Sequence, residues 1–293
     1  MMESITFHGD FSVKQEALTK LRSHIAAGTF RYSPAWSEEG ADAIGCIVEA
    51  DDAQRYSEML GYPLALATAL SSIVNAFRPL EKATQYAEAW LEQTPIGADL
   101  SKVVSQVLVE VLDEPSVVAL TVQQPDVEHS RRSVMALHRR VVDGDAPDRA
   151  EWKAIRRAAV AASDMVMDKN LLRSAGAIVE AAAWPASMRT VLHDVLGARG
   201  GLEVKQLFDE IGWTDEKESQ VYRIREVAET TGQFDGLNGL DRVLALLDAD
   251  HPELAKGFRQ RLEQFEKLGE AIRVVGFRII ELFKQAPVAA EAR

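Results

Sequence analysis

The sequence predicts an all-α protein, a multi-helix bundle-like array in two halves, with one small irregular or β-hairpin element near residues 29–49. Apolar residues recur every three or four positions through most of the chain, the period of a helix with one buried face. Glycine, proline and short acidic or hydroxyl side chains fall at the ends of those segments, where helices start and stop. With 47% hydrophobic residues, the 293-residue chain has enough apolar surface to bury cores of this kind.

The first helix is expected over 13–27. Ser12 and Gln15 have capping-box spacing, Val13, Ala17, Leu18, Leu21 and Ile25 keep the helical period, and Gly28 closes the segment. Just ahead lies Thr6-Phe7-His8-Gly9-Asp10, which reads as a turn. Gly9 supplies a positive φ, Asp10 or Ser12 accepts from free helix N–H groups, and Phe7 staples onto the first turns. Residues 29–49 are the least helical part. Aromatics and Pro34 lead into Ser37-Glu38-Glu39-Gly40 and then the apolar run Ile44-Gly45-Cys46-Ile47-Val48, the pattern of a short hairpin or a buried extended segment.

Asp51 or Asp52 caps a short helix that ends at Gly61, and Pro63 opens the next. Further helices are expected over 64–77, 80–93, 100–113 and 125–142, the third of them capped by Asp99. The loop Asp143-Gly144-Asp145-Ala146-Pro147-Asp148 is the strongest break, and it divides an acidic N-terminal domain, 1–145, from a C-terminal helical domain, 146–293. The second domain should hold helices over 149–167, 171–182, 186–196, 204–211 beyond Gly200-Gly201, 215–230 and 237–247. A long amphipathic helix over 252–285 should end it. Small-residue runs at 158–162 and 181–183 suggest close helix packing. Gly269 and Gly276, seven apart on the last helix, leave room for another helix backbone in this chain or in a second copy; a homodimer through this helix would use them.

Charge and composition then limit function. The chain has 33 basic and 45 acidic residues, a net charge of -12, which disfavours a binder of nucleic-acid phosphates. Residues 1–147 account for 12 of the basic and 21 of the acidic side chains, so the excess lies mainly in the first half. A lone Cys46 allows neither an intramolecular disulfide nor a Cys-rich zinc site. The start, Met1-Met2-Glu3-Ser4, lacks a basic and an apolar region, and no stretch has the eighteen or so apolar residues of a membrane span. The expectation is a soluble cytoplasmic protein without membrane, metal or cofactor.

Four residues are candidates for chemistry. Asp10 stands two residues from His8 and could orient its ring as a base, although the turn reading explains Asp10 equally. Cys46 sits in an apolar run; as a nucleophile it would need a cation or a histidine such as His8 or His24 beside it. Asp99 would join them if a pocket gathered all four. A different surface comes from Glu38, Glu39, Asp42, Glu49, Asp51 and Asp52, which with Glu58 face only Arg55 in sequence and would suit a basic protein partner. No EF-hand spacing accompanies these acids. His24, His129, His138, His193 and His251 form no His-x-x-x-His pair, and the basic pairs Arg131-Arg132 and Arg139-Arg140 on one helix could face an anion or simply water. GxGxxG, GxxxxGK[ST] and GxSxG are all absent.

Thr6-Phe7-His8-Gly9-Asp10, Gly45-Cys46, Tyr56 with Leu60-Gly61-Tyr62-Pro63, and Ile96-Gly97-Ala98-Asp99-Leu100-Ser101 follow one another in an order that resembles an uncharacterised bacterial helical family, over about the first 115 residues. Some of its members are labelled immunity proteins. The resemblance implies a helical fold and an immunity-like or regulatory role. Relatives tend toward a second cysteine and a nearby histidine, neither of which is present around Cys46. The leading expectation is therefore an interaction protein that uses its acidic N-terminal surface. The alternative is an enzyme or small-ligand binder with a pocket of His8, Asp10, Cys46 and Asp99.

Overall fold

Two segments, Leu64–Asn75 and Val103–Leu112, carry almost no charge on any face, and a helix that is apolar all round belongs inside a core. The computed structural model buries both. It describes residues 5–166, 171–231, 239–265 and 267–288. Among these are fifteen α-helices and a single two-stranded antiparallel hairpin, so the chain is all-α with a small hairpin.

The chain forms two compact units, Met1–Gly201 with Gly269–Arg293, and Leu202–Leu268. A 3-10 turn, Thr6–Gly9, is followed by α1 (Phe11–Ala26), the hairpin β1 (Trp36–Ser37) and β2 (Gly40–Ala41), α2 (Gly45–Val48), α3 (Ala53–Leu60), α4 (Leu64–Asn75) and α5 (Leu80–Gln93). Next come α6 (Val103–Leu112), α7 (Pro115–Thr121), α8 (Pro125–Val142), α9 (Arg149–Asp164), α10 (Leu171–Ala182) and α11 (Val191–Glu210). The remaining helices are α12 (Asp215–Thr231), α13 (Gly239–Asp250), α14 (Pro252–Gln264) and α15 (Glu270–Gln285).

In the first unit, α15 packs on α4, α5 and α6, and α8 packs against both α6 and α9. The loop 143–148 therefore joins two helices packed on each other, with Asp148 and Glu151 forming a capping box at the start of α9. The expected division at 145/146 does not coincide with the boundaries of the compact units. Of the small-residue runs, Ala159 and Ala162 of α9 are buried while Ala158 and Ala161 are exposed, and Ala182 and Ala183 are buried; outside the runs, a Cβ added at Gly176 of α10 would lie 3.2 Å from the Ser163 hydroxyl of α9.

The second unit has its own core of Trp213, Val221, Val243, Leu247, Ala255 and Phe258. At its side the Arg261 guanidinium lies 4.7 to 5.9 Å from the ring centres of Phe208, Trp213, Phe258 and Phe265 and pairs with Glu218, whose carboxylate also accepts from the Trp213 indole N–H at 2.6 Å. Cation–π contact and ion pair together let a charged group sit beside an apolar core.

Several expected boundaries shift, each for a local reason. Helix α1 starts at Phe11, because Asp10 and not Ser12 is the N-cap: its Oδ1 accepts from the Ser12 N–H at 2.7 Å and from the Ser12 hydroxyl at 2.8 Å. The apolar run at 44–48 is the short helix α2 and not a strand. Helix α7 was not expected; Pro115 in its first turn, behind Glu114, is the signal that marks it. Gly197, Gly200 and Gly201 lie inside α11, where Val191, Leu192, Val195, Leu196 and Leu202, all at 0% exposure, outweigh the cost of about 1 kcal/mol per helix glycine.

The long last helix is two helices. Helix α14 ends at Gln264, and Gly269, at φ +84° in a left-handed conformation, opens α15; the apolar period runs on because both pieces have a buried face. The close approach expected at Gly276 is made within the chain: a Cβ there would meet Ile73 Cγ2 at 2.9 Å and the Tyr86 hydroxyl at 3.1 Å. Expected helix ends at 167 and 237 lie outside the described residues.

Gly28 and Gly61 share a left-handed conformation, φ +66° and +71°, but not their surroundings. Nothing lies within 4 Å of a Cβ built at Gly28, whereas one at Gly61 would lie 2.0 Å from the Ile5 carbonyl oxygen. Urea denaturation should show Gly28→Ala losing about 1–2 kcal/mol from conformation alone. Gly61→Ala should lose a further 1–3 kcal/mol or so from the clash; equal losses would mean that the close approach is absent.

Candidate functional site

Backbone hydrogen bonds draw two of the motifs, Thr6 to Asp10 and Ile96 to Ser101, together. The Thr6 N–H donates to Ala98 O and the Gly97 N–H to Thr6 O, both at 3.0 Å, while the Thr6 hydroxyl donates to Pro95 O at 2.6 Å and accepts from the Ala98 N–H at 2.8 Å. The Asp99 N–H donates to Pro287 O at 2.8 Å, so the chain near 288 joins the same clasp. Thr6 is fully buried, and its hydroxyl both donates and accepts within the clasp.

His8 stands at the edge of this clasp with a structural duty. Its Nε2–H donates to the Glu58 carbonyl at 2.9 Å, one of the last four carbonyls of α3 and without an i+4 partner inside the helix. Asp10 caps α1, and the Ser12 bonds hold its carboxyl below the usual range. Asp99 Oδ1 accepts from the Ser101 N–H at 2.9 Å. The segments of His8, Asp10 and Asp99 thus meet, each side chain serving a turn or a helix end. Phe7 is buried with its ring 5.8 Å from that of Tyr62, and the Lys14 ammonium from the first turns of α1 lies 5.5 Å from its ring centre.

Cys46 does not reach that surface. It is completely buried in α2, and its thiol donates to Ala41 O at 3.5 Å. Burial, with the Asp42 charge nearby, pushes the thiol up to about 12, the reverse of what a nucleophile needs. The four-residue pocket is therefore not assembled.

The acidic run separates into two groups. Asp42 leaves the surface: it is 3% exposed, accepts from the N–H groups of Ile44 and Gly45 at 2.9 Å and from the Ser71 hydroxyl at 2.5 Å, and burial raises its pKa. Asp52, half-buried, caps α3 by accepting from the Arg55 N–H at 2.9 Å. Glu38, Glu39, Glu49 and Asp51 remain exposed, and none of them faces a cation in an ion pair among the described residues. Ser37 fixes the hairpin that carries the first two: its Oγ accepts from the Glu39 N–H at 3.3 Å and the Gly40 N–H at 3.2 Å and donates to Gly40 O at 3.0 Å. Trp36, 37% exposed, sits on the same hairpin.

The basic pairs on α8 are used internally. Arg131 is buried in an ion pair with Glu128, whose carboxyl it holds at about 2, and it donates to Leu112 O at 2.9 Å. Arg140 pairs with Asp145 and Glu151. His138 is fully buried: its Nε2–H donates to Ala182 O at 2.9 Å, and its Nδ1 accepts from the Ser105 hydroxyl at 3.2 Å. His24 Nδ1 lies 2.9 Å from the Thr29 hydroxyl and His193 Nδ1 3.0 Å from that of Ser72. Among the described residues no group of three or more His, Cys, Asp and Glu side chains is arranged to hold a metal ion, and no helix is long and apolar enough to cross a membrane.

One feature was missed from sequence. Arg149, Lys153, Arg156 and Arg157 line a cleft of about 1070 Å³ whose other wall includes Trp184 and Met188. Their spacing of four, three and one along α9 is the signal that could have found them. Comparison with known proteins finds no matching family model, no similar curated protein and no similar solved structure.

Burial keeps the His138 ring neutral and lowers its pKa from 6.5 to about 4. Between those values the unfolded chain binds a proton that the folded chain does not, so the stability is present above 6.5 and is lost as pH falls toward 4. Urea titrations should show a loss on the order of 3 kcal/mol across that window. His138→Gln should flatten it, and an unchanged slope would place the acid sensitivity elsewhere. Native Cys46 should resist iodoacetamide at pH near its ordinary 9 and react once urea unfolds the chain; rapid labelling of the folded protein would contradict its burial.

Proposed function

We propose that the protein acts by binding a protein partner of basic character, through the surface that carries Glu38, Glu39, Glu49 and Asp51. The observation that supports this most directly is the set of four exposed carboxylates without an internal cation, two of them on a hairpin already fixed by Ser37. Several other acids of the first unit are held in ion pairs, as Glu114 is with Arg199 and Glu110 with Arg278. A preordered surface loses little conformational freedom on binding. Trp36 beside the acids adds the kind of aromatic anchor that carries binding energy at interfaces.

The role fits the resemblance to proteins labelled as immunity proteins, for which a toxin or a regulatory target would be the partner. Catalysis is the weaker reading, since Asp10, Cys46 and Asp99 each serve the fold and His8 serves α3.

Capture of partners on the immobilised protein, read by mass spectrometry, tests the proposal. Charge reversal at Glu38, Glu39 and Asp51 should leave the fold within about 0.5 kcal/mol of wild type, as exposed substitutions do. It should weaken capture of basic partners by about tenfold or more. Retention of every partner by the reversed protein would overturn the role of this surface.

A further inference from the structure

Arg149, Lys153, Arg156 and Arg157 fall on one side of α9 and have no acidic partner among the described residues. Other arginines of the first unit, Arg131, Arg140, Arg199 and Arg278, are held in ion pairs, whereas these four cations stand together along one cleft. The cleft they line is otherwise largely apolar. Trp152 is buried within it, Trp184 and Pro185 form the facing wall, and Met188 stands 41% exposed at the rim. The Arg156 guanidinium lies 3.9 Å from the centre of the Trp184 ring, a cation–π contact that keeps its charge over the apolar wall. Asp164, farther along α9, is the acid in the lining.

Unneutralised cations beside apolar surface favour a ligand that brings negative charge and an apolar group together. The length of the charged row decides between ligand sizes. From Arg149 to Arg157 the helix rises about 12 Å, too far for one carboxylate or phosphate to serve both ends, but suited to acidic side chains several residues apart on a peptide. The volume, about 1070 Å³, likewise stands at the upper end of small-molecule sites, which run to roughly 1,000 Å³. A nucleic acid would meet a protein of net charge -12 with only these four cations in the cleft, a poor counterion exchange.

We propose that this cleft binds an acidic peptide segment bearing a large apolar side chain. Its carboxylates pair with Arg149, Lys153 and Arg157, and the apolar side chain rests against Trp184 and Met188. The site has the opposite charge to the hairpin surface and stands whether or not that surface has a partner.

The test uses the full chain and fluorescein-labelled synthetic peptides, read by anisotropy. One peptide combines Glu with Leu and Phe, a second has Ser in place of Leu and Phe, and a third has Lys in place of Glu. The first should bind in the micromolar range and more weakly as salt rises. K153E/R157E, at two exposed positions, should weaken it by about tenfold or more with an unchanged thermal melt, and M188S by a smaller factor. The proposal is overturned if the first peptide does not bind, if the Lys or Ser peptide binds as well, or if K153E/R157E binds it as wild type does. Displacement by millimolar inorganic phosphate would make the cleft a small-anion site instead. Self-association in sedimentation that K153E/R157E and E38K/E39K both abolish would identify the occupant as a second copy, and would equally overturn it.

Discussion

Tyr62 meets four aromatic rings at once, and the first unit is organised around that contact. Phe7 from the N-terminal turn, Tyr56 from α3, Trp90 from α5 and Phe283 from α15 have ring centres 5.7 to 5.9 Å from that of Tyr62. The buried Tyr62 hydroxyl donates to the Thr94 hydroxyl at 2.8 Å, which in turn donates to Trp90 O at 2.6 Å. The position of Tyr62 is set by its neighbour Gly61, whose left-handed turn brings the chain against Ile5. Because the rings come from segments far apart in sequence, this contact fixes how the turn, α3, α5 and α15 are placed, and with them the clasp at Thr6 and Ala98.

That arrangement explains why motif residues that suggest chemistry serve structure here. A histidine two positions from an aspartate resembles a base with its orienting acid when only sequence is available. In the fold, the Glu58 carbonyl and the Ser12 amide take up those two side chains. The cap at Asp10 could be read from the residues beside it, but the partner of His8 could not, because Glu58 is fifty positions away.

Local signals were legible where one turn of backbone decides the outcome. The αL glycine at 61, the Asp52 cap, the Pro63 start and the hairpin around Ser37 could all be read from neighbouring residues. What sequence could not supply was tertiary competition. Buried leucines and valines carry α11 through three glycines, whereas a segment with an equally regular apolar period divides into α14, which ends at Gln264, and α15, which left-handed Gly269 opens. The acidic surface was legible as composition, but Asp42 was inseparable from its neighbours until burial and the Ser71 contact set it apart. The α9 cations were equally visible as letters; what gives them meaning is the tryptophan wall facing them and the lack of a carboxylate paired with any of them among the described residues, both properties of the fold.

The second unit is inserted between two parts of the first, which return together only through α15. This order has a consequence during synthesis. When the ribosome has made residues up to Gly201, the faces of Tyr62 and Trp90 that Phe283 will cover are still open, and about 80 more residues must follow before it is made. At roughly 5–20 residues per second, the nascent chain waits on the order of 4–16 s with an aromatic surface uncovered. During that interval the faces of Tyr62 and Trp90 are without the ring that covers them in the finished protein.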